Sequence, residues 1–104
     1  MKKTASMIYR PSEEARELYL VADNESRLYP MIQAIENSLI KKLEKGVYDA
    51  EKAIIAFFHV TTEASNQYKK DYGYSFTVTE RWTAAQDMRD AFIAEYNVNG
   101  RAAG

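Results

Sequence analysis

His59 stands four residues before Glu63, a spacing that puts an imidazole and a carboxylate on one face of a helix. Such a pair could polarise a base or supply half of a metal site. The chain has one histidine and no cysteine, so any further ligands would have to be carboxylates from other helices, and the pair reads as a surface His–Glu contact. Asp87 and Asp90 flank Arg89 and could in principle serve magnesium or acid–base chemistry. They share a helix whose other side carries Trp82, Met88 and Phe92, which marks them as a solvated face. Ser12, Ser26 and the threonines belong to no GxSxG elbow, and the glycines at 46, 73, 100 and 104 have neither GxGxxG nor GxxxxGK spacing. The expectation is a non-enzymatic protein with no catalytic residue, no metal and no cofactor. An enzyme would require His59, Glu63, Asp87 and Asp90 to converge in one pocket.

One segment offers recognition chemistry instead. Tyr68, Lys69, Lys70, Tyr72 and Tyr74 interleave rings with ammonium groups, and Arg81 follows. Ring stacking plus phosphate neutralisation is how single-stranded nucleic acid is gripped. Tyr68 and Tyr72, however, continue the apolar stripe of the preceding helix and read as core edge, leaving Tyr74 and the lysines for a strand. Tyrosine also supplies large contact area with a polar tip, and the chain has eight of them, which fits a protein interface and equally fits tyrosines closing the core of a small domain; their exposure decides between the two. These six residues form the candidate partner-binding set. A second basic cluster, Lys41, Lys42 and Lys45, is explained by complementing a helix dipole.

The elements that position these groups are bounded by composition. A chain of 104 residues with 46% hydrophobic and 28% charged residues is one globular domain, and its formal charge of −1 excludes a strongly basic nucleic-acid binder at the level of net charge. The longest apolar run, Ala53 to Phe58, is far short of the roughly 20 residues a membrane helix needs. No export signal is recognised, and with no cysteine the default expectation is the cytoplasm.

Along the chain, Thr4 to Tyr9 alternates loosely and predicts an extended arm over 1–11 ending at Pro11. Ser12 is the expected cap of a first helix reaching Asp23, with Ala15, Leu18, Tyr19 and Ala22 as its stripe. Leu28, Met31, Ile32, Ile35, Leu39 and Leu43 predict a second helix that starts afresh near Ser26 to Tyr29, because Pro30 is tolerated only in a first turn. Gly46 stops it. Asp49 caps a long third helix carrying Ala50, Ile54, Phe57, Phe58, Thr61, Ala64, Tyr68 and Tyr72, which Gly73 ends. Thr77 and Glu80 form a capping box opening a fourth helix with Val78, Trp82, Ala85, Met88, Phe92 and Tyr96 on its apolar face. Residues 98–104 read as a flexible polar tail. The predicted fold is all-α: four helices over 12–97, built on a central antiparallel hairpin of the second and third, with the first and fourth packed on that pair.

From Glu17 to Ala53 the chain reads ELYLVADNESRLYPMIQAIENSLIKKLEKGVYDAEKA. Asn24, Leu28, Tyr29, Asn37, Leu39, Lys42, Lys45, Gly46, Tyr48, Asp49, Lys52 and Ala53 carry a pattern that resembles a family of short, uncharacterised helical proteins encoded by bacteriophages and plasmids. Phe57, Ala64, Tyr68, Lys70, Arg81 and Phe92 extend the likeness over most of the chain. The Asn-Ser-Leu order at 37–39 departs from the Asn-Leu neighbours of that pattern. The resemblance implies a mobile-element source and brings no catalytic residues. The functional expectation is a protein-interaction module, an accessory factor that binds a host or defence protein and could inhibit it. The alternative is a nucleic-acid-binding accessory protein using Lys69, Lys70, Tyr74 and Arg81. Self-association into a symmetric homodimer is a further expectation.

Overall fold

The computed structural model describes residues 11–103, with side chains described over 13–97, so the expected arm falls almost wholly outside the described residues. Four helices follow one another: α1 (Pro11–Asn24), α2 (Tyr29–Lys45), α3 (Ala50–Tyr72) and α4 (Val78–Ala103), with a single 3-10 turn at Ser26–Leu28 leading into α2. No strand occurs among the described residues. The fold is all-α, and no described helix is long and apolar enough to cross a membrane.

Local chemistry explains most boundaries. Pro30 sits in the first turn of α2, where its missing N–H has no partner to lose. Gly46 ends that helix at φ +74°, and the Val47 amide donates back to the Lys42 carbonyl at 2.9 Å. Asp49 Oδ1 accepts from the amides of Glu51 and Lys52 at 2.9 and 3.2 Å, starting α3. Gly73, at φ +76°, ends it. The capping box is reciprocal: the Thr77 amide donates to Glu80 Oε1 at 2.8 Å, and the Glu80 amide donates to Thr77 Oγ1 at 3.1 Å.

Two boundaries differ from the sequence reading. Pro11 and Ser12 are already helical, so Ser12 lies inside the first turn of α1 and is not its cap. Pro11 is accommodated there because a first-turn proline keeps helical φ. Helical backbone also continues through 98–103 where a tail was expected, since Gly100 is the sole breaker there and costs only about 1 kcal/mol relative to alanine.

The closest packing joins α1, α3 and α4. Ala15 and Ala22 of α1, Ala53 and Ala64 of α3, and Ala84 and Ala85 of α4 are all fully buried, and small side chains let helix axes approach. Leu18, Phe57, Val60, Met88 and Phe92 fill the space between them. α3 and α4 run antiparallel, with the Thr61 hydroxyl 2.9 Å from the Arg81 carbonyl and the Phe57 and Phe92 ring centroids 6.3 Å apart. Phe58 and Trp82 close the same seam, 5.4 Å apart.

The α2–α3 hairpin is present, but the centre of packing lies at α3 with α1 and α4. Within α2 only Leu39 is buried; Ile32, Ile35, Ile40 and Leu43 are half-buried and Met31 is exposed. Val78, expected on the apolar face of α4, is 61% exposed, because it is the first residue of that helix and stands above the level its neighbours reach.

Candidate functional site

The corner between α3 and α4 gathers four aromatic rings. After Gly73 turns the chain, Phe76 drops into the core at 3% exposure, and its amide donates to Ser65 Oγ at 3.4 Å. Tyr68 is the hub above it. Its ring centroid lies 5.3 Å from Phe76, 4.7 Å from Tyr72 and 6.3 Å from Tyr74, while Tyr74 meets Phe76 edge-on at 5.0 Å. Tilted and edge-to-face contacts at these separations are the favourable ring geometries. The Tyr68 hydroxyl donates to Glu17 Oε2 of α1 at 3.2 Å. Burial and the Glu17 carboxylate both raise its pKa, so the phenol keeps its proton.

The six expected site residues divide. Tyr68, half-buried, and Tyr74 belong to the ring group. Tyr72 does too, but it is 72% exposed, which corrects its reading as core edge: the stripe of α3 continues past the point where α1 and α4 cover it. Lys69 and Lys70 are exposed on the last turn of α3. At 100° per residue Lys70 lies about 160° around the helix from both Tyr68 and Tyr72, on the side of α3 away from those rings. Arg81 is half-buried and engaged elsewhere, its guanidinium 5.7 Å from the Phe58 ring centroid. Phe76, the anchor of the group, belongs to the aromatic segment read from the sequence but was not among its candidate site residues. Its one signal was a wholly apolar ring, two residues after Tyr74, in the short connection between Gly73 and Thr77.

Beside the corner a cleft of about 220 Å³ opens between the ends of α1 and α3. Val21, Ala64, Tyr68 and Tyr72 supply its apolar lining. Its polar lining is Asn24, Glu25, Gln67 and Asp71. Arg27 grips Glu25 through Nε at 2.6 Å and Nη2 at 3.0 Å, and lies 3.9 Å from Asp71 Oδ2. Those hydrogen bonds, with that from the Arg27 amide, pull the Glu25 carboxyl down to about 2.

The residues an enzyme would need are not assembled. His59 and Glu63 are exposed on α3. Asp87 is half-buried, not wholly on a solvated face; burial and the Asp90 charge raise its pKa, partly offset by Arg16 of α1. Asp90 is exposed and pairs with Arg89 at 2.7 Å. Of the clefts beside Tyr29, Tyr48 and Tyr72, only that at Tyr48 touches one of the four, Asp90. Among the described residues no three His, Asp or Glu side chains are placed to hold a metal ion.

Set beside known proteins, the chain matches no family model, no curated protein and no solved structure.

Proposed function

We propose that this chain is a non-enzymatic protein-interaction module that docks its partner through the aromatic corner of α3 and α4. The observation that carries the reading is the exposure of Tyr72 at 72% and Tyr74 at 40% on rings already braced by Tyr68 and buried Phe76. Braced aromatic side chains lose little conformational freedom on binding, which is why Tyr is enriched at interfaces. The likeness to phage and plasmid proteins supports a role as a mobile-element accessory factor acting on a host or defence protein in the host cytoplasm. Lys70 on the far side of α3 from Tyr72 and Arg81 drawn over Phe58 weigh against the nucleic-acid alternative, which keeps Lys69 as its cation beside Tyr72.

Capture of partners by the tagged chain from host lysate, with nuclease treatment and a salt series, tests this. The expected result is a protein that stays bound through both and is lost when Tyr72→Ala and Tyr74→Ala are combined. Recovery of nucleic acid alone, falling steeply with salt, overturns the reading. A second copy of the chain as sole partner makes the corner a dimer face.

A further inference from the structure

We propose that the cleft between α1 and α3 receives a basic, apolar segment of the protein partner: one large aliphatic side chain enters, and an adjacent guanidinium or ammonium group pairs with Asp71. This rests on the interaction reading above and names the chemistry of the partner. At about 220 Å³ the cleft is below the range of roughly 300–1,000 Å³ typical of small-molecule sites, and it suits a single side chain. Its apolar lining adjoins the exposed rings, since Tyr68 and Tyr72 belong to both. Its charges do not balance: two carboxylates, Glu25 and Asp71, share one guanidinium. Arg27 spends its hydrogen bonds on Glu25 and stays beyond hydrogen-bond range of Asp71, which leaves that carboxylate, on a side chain 48% exposed, the anionic acceptor open to an incoming cation. An acidic partner would meet repulsion there, and so would a phosphate backbone. A pair this exposed governs selectivity and encounter more than affinity.

Nuclear magnetic resonance titration of the isotope-labelled chain tests the proposal, with acetyl-leucyl-arginine amide and acetyl-leucyl-glutamate amide as probes. The readout is the side-chain amides of Asn24 and Gln67, which line the cleft. The arginine probe is expected to shift both, the glutamate probe neither, and Asp71→Asn to weaken the arginine response about threefold or more. Asp71 is exposed, so this replacement leaves the fold in place, and the unshifted remainder of the spectrum verifies it. Equal responses to the two probes, shifts confined to other residues, or indifference to Asp71→Asn overturns the proposal. A silent titration alongside a partner lost with Tyr72 and Tyr74 removes the cleft assignment and keeps the interaction reading. A specific titration with no captured partner removes only the broader reading.

Discussion

The α1–α3–α4 unit and α2 are built from similar apolar fractions and end up differently held. The first is seamed by six buried alanines, so its helices come close and shut Phe57, Val60 and Met88 away from water. The second meets α3 through isoleucines and leucines, whose longer side chains keep the backbones apart and leave much of their own surface half-open. One consequence is that stability is uneven: the alanine-seamed unit carries the cooperative core, and α2 is the element whose local opening costs least. The other is electrostatic. Glu36 of α2 sits half-buried facing Glu95 of α4 and Asp23 of α1; burial first, and those two charges next, raise its pKa.

The largest effect that would test this contrast comes from cavities. Phe57→Ala is expected to cost about 3–5 kcal/mol and shift the whole denaturant transition, whereas Leu39→Ala, at the low end of about 2–5 kcal/mol, releases α2 first. Hydrogen exchange separates them: protection falls throughout in the first variant and mainly over 30–45 in the second. Equal loss everywhere in both would make the two regions one cooperative unit. Overpacking is the next lever. Ala84→Leu is expected to cost about 1–3 kcal/mol, while Ala34→Leu, on the exposed side of α2, is close to neutral. The smallest effect sharpens the electrostatic difference. A carboxylate whose folded pKa is raised penalises folding fully above that value, and the penalty is gone once pH is below the ordinary 4.5. Protection of α2, corrected for intrinsic exchange, is therefore expected to rise as pH falls through this window, and Glu36→Gln to flatten the trend while α3 shows none of it.

The helix ends were legible in the sequence because each depends on a few neighbouring atoms. Gly46 and Gly73 adopt the left-handed conformation that stops a helix, and Asp49 and the Thr77–Glu80 box satisfy amides two or three residues away. The uneven packing was not legible. Periodicity tells which face of a helix is apolar, but an alanine there reads only as a good helix former, not as the residue that sets how near two axes come. The site failed in the same way. Tyr72 keeps the spacing of the α3 stripe after its covering helices have ended, and Arg81 is drawn over the Phe58 ring by a contact between helices. Phe76 belongs to no period at all, because the connection that carries it is not helical.

The chain's one tryptophan, Trp82, lies on Phe58 at the α3–α4 seam, on the alanine-seamed side of that contrast. Its emission therefore reports the parting of α3 from α4, while the departure of α2 moves helical ellipticity and leaves the indole dark to the event. A melt followed by fluorescence and one followed by circular dichroism would then trace two different molecular events, and the gap between the curves would be the temperature range in which α2 alone is free.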